Sequence, residues 1–314
     1  YVQSMYRTIM AASRSYENGK LGRGSKVYDG IKKAMEETPQ LFPQRPTVAC
    51  QGIEGAYSQI ACDRLFKAPS ILYFQSFDHV FKAVESGMCQ YGILPIENST
   101  AGSVNAVYDL MIRHNFSIVR AARLKVSHNL LAKPGTKLED IRDVYSHEQA
   151  LHQCAGYLAG LKNVAVHVVE NTAVAARMVA QSDRSDVAAL SSRFCAEQYD
   201  LEIVQDNVQD QDNNYTRFIC ITKDPVIYAG ANRISLIIAF DNRPGALYEI
   251  LSKLAALDIN MTKLESCPVA GSDFEFVFFL ELDASVQDPS VLAMLEEMER
   301  SCAEFQFLGN YAEV

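Results

Sequence analysis

The sequence predicts an α/β protein with two lobes, followed by a smaller domain of ferredoxin-like order. Between residues 46 and 226, short apolar runs typical of strands alternate with segments of helical spacing, which favours βα units and a largely parallel sheet. The alternation comes in two consecutive blocks, so we expect two lobes with a cleft between them. From residue 232 to 314 the order becomes strand, helix, two strands, helix and strand, the βαββαβ order of ferredoxin-like domains.

Each segment has a pattern typical of its predicted element. In the first block the predicted strands are "TVACQG", "SILYFQS", "QYGILPIEN" and "FSIVRAARLKVSHNLLAK", and the helices are "GAYSQIACDRLF", "FDHVFKAVESG" and "SVNAVYDLMIRHN". In the second block "DVYSH", "VAVHVVEN" and "DVAALSS" are strands that lead into "EQALHQCAGYLAGLK", "TAVAARMVAQS" and "RFCAEQYDL". In the last domain "RISLIIAF" and "EFQFLGNY" are strands, "INMTKLESCP" and "DFEFVFFLELD" a hairpin, and "RPGALYEILSKLAALD" and "PSVLAMLEEMERSC" helices.

The first 45 residues are predicted to lie outside the lobes. Apolar positions between residues 1 and 20 recur at spacings of three and four, which predicts a helix there. Residues 21–45 are predicted to be a linker. "NGKLGRGSK" leads into this segment, and "ETPQLFPQRP", with three prolines, closes it.

Composition narrows the class of function. The chain has 314 residues, enough for two or three domains, and its 29 basic against 38 acidic residues give a net charge of −9. This balance argues against nucleic acid or an anionic membrane as the main partner. The 8 cysteines show no C-x-x-C spacing, and no apolar stretch reaches the length of a membrane span. We therefore expect a cytoplasmic protein without a metal site.

Small polar side chains stand at five predicted strand-to-helix junctions. These are Ser58, the "ENST" run at 97–100 with Ser103, Ser146 with Gln149, Asn171 with Thr172, and Ser191 with Ser192. Helix capping explains any one junction, and Ser146 is the expected cap of its helix. Together, however, they line the carboxyl edge of the predicted sheet, where open α/β folds bind ligands and helix N-termini attract anions. We expect a small ligand with a carboxylate.

The run "QDQDNNYTRF" at 209–218 leads directly into the apolar strand "FICIT". It is either a solvated loop or a site that holds Thr216 and Arg217. Other motifs are lacking: there is no G-x-G-x-x-G, no phosphate-binding loop and no G-x-S-x-G, and His147 and His152 are five residues apart, the wrong spacing for zinc ligands on one helix face.

Several ordered motifs together resemble the prephenate dehydratase family. They are "GIEGAYS", "PIENSTAGSV", "SHEQALHQC", "NYTRF", "GALYEIL" and "ESCP", and they extend from about residue 46 to the C-terminus. The resemblance implies a lyase that converts prephenate to phenylpyruvate, with loss of carbon dioxide and water, in L-phenylalanine biosynthesis. No cofactor is implied. Residues 46–226 would form the catalytic domain, whose two lobes resemble a periplasmic-binding-protein fold, and 232–314 would be an ACT domain that senses phenylalanine.

The predicted first helix is similar to the last helix of the chorismate mutase found in the bifunctional enzyme of this family. The two preceding helices of such a mutase are absent from this sequence, and Glu17 stands where many of these mutases have Gln. A single helix cannot enclose a substrate. We therefore expect no mutase activity.

The resemblance also implies roles for individual residues. Thr216 would donate to the leaving hydroxyl, and Arg217 would clamp a carboxylate, although a salt bridge to the nearby Asp run is an alternative for it. Glu97 and Asn98 would complete the catalytic set. The implied substrate-binding residues are Ser58, Ser99, Thr100, Ser146, Gln153, Thr172 and Phe218.

In the ACT domain the resemblance implies a phenylalanine site and a homodimer or homotetramer. The residues expected at the site are Gly245, Ala246, Leu247, Glu265 and Ser266. Cys267 stands where the family usually has Arg, so a purely structural dimerisation module is the alternative for this domain.

Two alternatives to the main function remain. Arogenate differs from prephenate only by an amine in place of the keto group, so the chain could be an arogenate dehydratase. Two lobes around a cleft also suit a non-catalytic binding protein that senses an amino acid or another carboxylate.

Overall fold

The computed structural model describes Tyr6, Ile9, Met10 and Ser13 and the ranges 25–240, 243–268 and 276–314. The chain clusters into two units. One, which we call the lobed unit, comprises residues 43–114 and 121–221 with Val314, and the other, the ferredoxin-like unit, includes 115–120 and 222–313. Most of the helix predicted for residues 1–20 lies outside the described residues; the four positions described there are helical and exposed.

The elements are numbered along the chain. The helices are α1 (Lys26–Glu37), α2 (Tyr57–Leu65), α3 (Phe77–Glu85), α4 (Asn105–Arg113), α5 (Glu148–Gln153), α6 (Ala155–Gly160), α7 (Thr172–Gln181), α8 (Arg193–Gln198), α9 (Ala246–Ala256) and α10 (Pro289–Ser301). The strands are β1 (Thr47–Gln51), β2 (Ser70–Phe74), β3 (Tyr91–Asn98), β4 (Gly102–Ser103), β5 (Ser117–Lys125), β6 (Asn129–Ala132), β7 (Asp143–Ser146), β8 (Ala165–Val168), β9 (Val187–Ser191), β10 (Glu202–Gln205), β11 (Tyr215–Thr222), β12 (Arg233–Ala239), β13 (Asn260–Pro268), β14 (Phe276–Asp283) and β15 (Glu304–Glu313).

The first lobe of the lobed unit is built on a mixed sheet. Its strand order is β5-β11-β3-β1-β2, with β4 paired to β3. Strand β1 runs parallel to β2 and β3, whereas β11 runs antiparallel to β3. The first four residues of β3 are all buried, as expected for a central strand covered on both faces. The antiparallel β11 brings its first residues beside the last residues of β3.

The second lobe has a five-stranded sheet of order β10-β6-β9-β7-β8. Strand β7 is parallel to β8 and β9, and β6 is antiparallel to β9 and β10. Leu130 and Leu131 are consecutive on β6 and belong to separate hydrophobic clusters, because alternate side chains of a strand face opposite sides. Two mixed α/β sheets confirm the predicted fold class, although neither sheet is purely parallel.

The ferredoxin-like unit has the predicted βαββαβ order. Its sheet runs β13-β14-β12-β15, and all three pairings are antiparallel. Ile234, Leu236 and Ile238 of β12 are buried in the same core as α9 and α10. The strands β13 and β14 pair as the predicted hairpin, and the residues that join them lie outside the described ranges.

Helix α1 corrects the prediction of a linker over residues 21–45. Ile31 and Ala34 of α1 are 2% and 5% exposed and belong to the core of the ferredoxin-like unit. The hydroxyl oxygen of Ser25 accepts a hydrogen bond from the N–H of Tyr28 at 3.0 Å and so caps the first turn. This part of the segment is therefore a docked helix.

One glycine in β15 allows a close backbone approach. A Cβ atom at Gly309 would lie 2.2 Å from the carbonyl oxygen of Ile118 in the same unit. Only a residue without a side chain fits at this distance, so the position requires glycine.

We expect Gly309→Ala to lower the free energy of unfolding by about 1–3 kcal/mol, because the backbone must shift to accept the methyl group. Urea denaturation measures this change. Gly230→Ala is the matched control: Gly230 also has a positive φ, +82°, but nothing lies within 4 Å of its added Cβ. Equal losses in the two variants would contradict the packing explanation.

Candidate active site

The site begins at Asn98, the last residue of β3. Its side-chain oxygen Oδ1 accepts hydrogen bonds from the backbone N–H of Thr100 at 3.1 Å and of Ala101 at 2.9 Å. The Thr100 hydroxyl donates to the same atom at 2.7 Å. A backbone N–H can only donate, so these contacts identify the Asn98 atom as the oxygen and fix the orientation of its amide.

The amide nitrogen of Asn98 reaches β11 and the residue before it. It donates to Oδ1 of Asn214 at 2.8 Å and to Oγ1 of Thr216 at 2.9 Å. Thr216 lies directly opposite Asn98 in the β3–β11 register. Because the Thr216 oxygen accepts a hydrogen bond from Asn98, its own proton points elsewhere and remains available to donate.

Gln153, at the end of α5, closes the set into a ring. Its nitrogen Nε2 donates to Oγ1 of Thr100 at 2.8 Å, and its oxygen Oε1 accepts from Nδ2 of Asn214 at 2.9 Å. Asn98, Asn214, Gln153 and Thr100 thus form a cycle in which each side chain donates to the next. We call these four residues the amide ring. It joins the first lobe to the second.

A cleft of about 330 Å³ opens beside the amide ring. Its volume falls within the roughly 300–1,000 Å³ of typical small-molecule sites. The lining residues are Thr100, Ala101, Gln149, His152, Gln153, Asp210, Gln211 and Asn214. Three of the four ring residues therefore line the cleft, and Thr216 is hydrogen-bonded to the fourth, Asn98.

The predicted catalytic residues divide between two faces of the β3–β11 pair. Arg217 lies opposite Glu97, one position along the strands from the pair of Thr216 and Asn98. Since neighbouring residues of a strand face opposite sides, Arg217 and Glu97 lie on the face away from the Thr216 hydroxyl. Arg217 is 9% exposed and Phe218 is 2% exposed, so both are buried.

Ser99 fastens the polar run to the turn after β3. Its hydroxyl donates to the carbonyl of Asn213 at 2.8 Å and accepts from the N–H of Tyr215 at 2.9 Å. The backbone N–H of Ser99 donates to the carbonyl of Tyr215 at 2.8 Å. The "NNYT" segment is thus an ordered part of the site, which decides against the simple solvated loop.

Two predicted binding serines are buried in the lobes. Ser58 is 5% exposed and lies inside α2, whose N-cap is Ala56. Ser146 is fully buried, and its hydroxyl donates to the carbonyl of Leu190 at 2.7 Å. The prediction that Ser146 caps the next helix is wrong: His147 is the cap of α5, and its Nδ1 accepts from the N–H of Gln149 at 3.3 Å.

Thr172 is the first residue of α7. Its neighbour Asn171 is the cap, with Oδ1 accepting from the N–H of Val174 at 2.8 Å. Ser192 caps α8 in the same way through the N–H of Cys195. Capping is therefore confirmed at two of the predicted junctions.

Two residues of the site were not predicted from the sequence, Asn214 and His128. Asn214 and Thr216 are two positions apart at the start of a strand, a spacing that places both on one face, so alternation could have identified Asn214. His128 stands in the apolar run "KVSHNLLAK", which offers no such signal. The His128 Nε2 atom lies 2.8 Å from Oε1 of Gln153. Burial lowers the pKa of His128, although its hydrogen bond to Gln153 acts in the opposite direction.

The residues predicted to bind phenylalanine gather at one end of the ferredoxin-like sheet. Ile238, near the end of β12, pairs with Phe278 of β14, and Phe278 pairs in turn with Ser266 of β13. The end of β12 that leads into α9 is therefore at the same end of the sheet as Glu265 and Ser266. Gly245 is the N-cap of α9 with a φ of +89°, a left-handed conformation that suits glycine. Ala246 is buried and Leu247 half-buried in the first turn.

Neither a metal cluster nor a membrane-spanning helix is found among the described residues. No group of three or more His, Cys, Asp and Glu side chains there could hold a metal ion. No helix in the same part of the chain is both long and apolar enough to cross a membrane.

Comparison with known proteins identifies the class of enzyme. The family model of prephenate dehydratase matches residues 48–226. The chain is 35% identical over 332 residues to arogenate dehydratase/prephenate dehydratase 2, chloroplastic, of Arabidopsis thaliana, an alignment that covers 97% of this chain and 86% of that protein. It is 34% identical over 274 residues to the bifunctional chorismate mutase/prephenate dehydratase of Neisseria gonorrhoeae, with 86% and 76% covered. The chain therefore belongs to the prephenate dehydratase family.

Two solved structures are similar to this chain over most of its length. The prephenate dehydratase of Arthrobacter aurescens in complex with L-Phe is 27% identical, with a TM-score of 0.77 over 85% of this chain and 89% of that one. GqqA, described as a novel type of quorum quenching acylase, is 32% identical, also with a TM-score of 0.77, over 85% of this chain and 98% of that one. The protein is a dehydratase of the aromatic amino acid pathway by family.

We expect Ser146→Ala to lower the free energy of unfolding by about 1–3 kcal/mol, since it leaves the buried Leu190 carbonyl without its donor. Because Ser146 is fully buried, KM should stay unchanged. Thermal or urea unfolding and steady-state kinetics measure the two quantities. Ser185→Ala, at an exposed position, is the control for the loss of a hydroxyl. A rise in KM with unchanged stability would restore Ser146 to the substrate site.

Proposed function

We propose that this chain converts prephenate to phenylpyruvate and that Thr216 assists the departure of the ring hydroxyl. The observation that carries the proposal is the hydrogen bond from Asn98 to Oγ1 of Thr216 at 2.9 Å. It occupies the oxygen as an acceptor and leaves the hydroxyl proton free for the substrate. The neutral amide of Asn98 thus holds the hydroxyl donor of Thr216 in a defined direction.

Apart from this donor, the reaction requires few protein groups. The carboxylate leaves as carbon dioxide, its bonding electrons enter the ring, and hydroxide departs from the opposite ring carbon, so that the ring becomes aromatic. A positioned donor at the leaving oxygen typically contributes 10²–10⁴-fold. Threonine is a weak acid, but donation from Asn98 to its oxygen polarises the O–H bond. The proton lost to the leaving group is replaced from water.

The substrate carboxylates would be held by neutral donors in the cleft. One N–H of Gln153 and one of Asn214 take no part in the amide ring, and both residues line the cleft. Thr172, in the first turn of α7, is the further candidate. We propose a different role for Arg217 and Glu97: opposite charges directly across an antiparallel pair stabilise the pairing from the other face.

Thr216→Ala is expected to lower kcat by about 10²-fold or more and to change KM much less, because the hydroxyl acts in the transition state. Thr216→Ser keeps the hydroxyl and is the matched control, so it should retain most of the activity. The assay follows phenylpyruvate by ultraviolet absorbance. An alanine variant that turns over at the wild-type rate would remove Thr216 from the mechanism.

Parallel assays with the two compounds decide the substrate, with phenylpyruvate followed as the product of prephenate and phenylalanine as the product of arogenate. The Arabidopsis thaliana relative carries both names, arogenate dehydratase and prephenate dehydratase, so we propose prephenate as substrate and keep arogenate as the alternative. Turnover of arogenate with a higher kcat/KM would select the alternative. Binding of both compounds without any aromatic product would select the non-catalytic binding protein.

We propose that residues 46–226 are the catalytic domain and that residues 232–314 are an ACT domain through which phenylalanine inhibits the enzyme. The Arthrobacter aurescens relative was solved in complex with L-Phe, and the residues that would bind it here share one end of the sheet. The ACT domain would also join chains into a homodimer or homotetramer in the cytoplasm.

Phenylalanine is expected to inhibit the wild-type chain, and Gly245→Val to abolish the inhibition. A coupling free energy of about 1–3 kcal/mol corresponds to a roughly 5–150-fold change in substrate affinity. Each variant is titrated with phenylalanine, and with tyrosine as the ligand control, and is normalised to its own rate without ligand. Gly230→Val is the matched variant: both glycines have positive φ values and open space at the added Cβ, so the backbone strain is alike. Inhibition that persists in Gly245→Val, or is absent in the wild type, would contradict the proposed sensor.

A further inference from the structure

We propose that His128 is a positioning residue that holds the amide of Gln153 so that its N–H groups face Thr100 and the cleft. The inference rests on the proposed function, in which Gln153 binds the substrate. His128 is not itself one of the residues that line the cleft, and its side chain contacts the lining residue Gln153.

The direction of the Gln153 amide follows from its neighbours. Asn98 is oriented by two backbone N–H groups, and this orientation makes the Asn214 atom that faces Asn98 the acceptor Oδ1. The other end of Asn214 is therefore the donor that meets Oε1 of Gln153 at 2.9 Å. If the Gln153 amide turned over, its nitrogen would face this donor, and its oxygen would face Thr100.

His128 also opposes this rotation of the Gln153 amide, through its contact with Oε1. Its Nε2 atom lies 2.8 Å from Oε1 of Gln153, so it must carry a proton to make a hydrogen bond there. The other tautomer would set two acceptors against each other at that distance. It would also bury an N–H at Nδ1, which has no hydrogen-bond partner in the described part of the chain. The Nε2–H tautomer avoids both penalties.

The backbone holds His128 rigidly in this place. Its N–H donates to Oε1 of Gln209 at 2.9 Å, and its carbonyl accepts from the N–H of Val208 at 2.8 Å. The preceding residue, Ser127, is bound through both its N–H and its carbonyl to the Tyr57 hydroxyl, at 3.1 and 2.9 Å. His128 itself is 3% exposed. A ring mounted this way can fix the rotamer of its partner.

The consequence is a cleft that presents donors. Oε1 of Gln153 is occupied by two donors, His128 and Asn214, and one Nε2–H is occupied by Thr100. The second Nε2–H remains for the ligand. Without His128 the amide would lose one of the three contacts that distinguish its ends, and an acceptor would face an anionic substrate for part of the time.

The first test is kinetic and uses His128→Leu, which removes the donor, and His128→Gln, whose amide nitrogen can replace Nε2. We expect His128→Leu to raise KM about tenfold, the effect of one hydrogen bond on a binding group, and to change kcat less. His128→Gln should recover most of the loss. In a Gln153→Ala background, His128→Leu should have no further effect on KM, because its only route to the substrate is gone. An unchanged KM in His128→Leu, or a full effect in both backgrounds, would overturn the proposal.

The second test does not depend on activity. Nitrogen NMR of the full chain with labelled histidine reports the tautomer, and the signal of His128 among the 6 histidines is the one lost in His128→Gln. We expect a neutral ring protonated at Nε2. A ring protonated at Nδ1 would reverse the Gln153 amide and overturn the inference, even if His128→Leu failed to fold. The two proposals can fail separately. If Thr216→Ala turns over at the wild-type rate while His128 is protonated at Nε2, the proposed function fails and the inference on His128 stands. If Thr216→Ala loses activity while His128 is protonated at Nδ1, the inference fails and the proposed function stands.

Discussion

The geometry of the site depends on two backbone N–H groups, those of Thr100 and Ala101, which both bind the side-chain oxygen of Asn98. Side-chain amides can turn over, and hydroxyls can rotate, but a backbone N–H cannot become an acceptor. The turn after β3 therefore sets the direction of every hydrogen bond in the amide ring. Because the Asn98 nitrogen donates to the Thr216 oxygen, this turn also directs the Thr216 hydroxyl proton away from Asn98. The direction of the Thr216 hydroxyl is thus set by backbone that the fold itself holds in place, and the catalytic role proposed for Thr216 depends on it.

The mixed sheet explains why so polar a run leads straight into a buried strand. Because β11 is antiparallel to β3, the first residues of β11 meet the last residues of β3, where the chain turns through "ENST". Asn98 thus lies beside Thr216 and donates a hydrogen bond to its hydroxyl, and Glu97 lies opposite Arg217 at the next position along the strands. A parallel strand at this position would carry its first residues to the opposite edge of the sheet. The apolar remainder of β11, from Phe218 onward, anchors the polar residues in the core.

Periodicity predicts the two α/β sheets and the βαββαβ order, because these features follow from local sequence, whereas the roles expected for the site residues come from the family resemblance. Incorrect predictions arose where two patterns in the same segment indicated different structures. Residues 21–45 were predicted as a linker from their glycines and prolines, although Tyr28, Ile31 and Met35 have the spacing of a helix face. Strand alternation places Thr216 and Arg217 on opposite faces of β11, and the carboxylate clamp predicted for Arg217 stays a prediction. His128 could not be predicted, because its partner Gln153 lies 25 residues away and only the tertiary fold joins them.

Neutral groups suit this cleft better than charged ones. A buried cation would bind the substrate carboxylates strongly, but it would have to be desolvated and would need a partner before substrate arrives. Amides carry no such cost if their hydrogen bonds are satisfied, and a half-satisfied network would be worse than none. The amide ring meets this condition through Asn98, whose oxygen and both N–H groups are all occupied. The groups left over are one N–H of Gln153, one of Asn214 and the proton of Thr216. All three are donors, so the hydrogen bonds that stabilise the amide ring also leave groups that favour an anionic ligand.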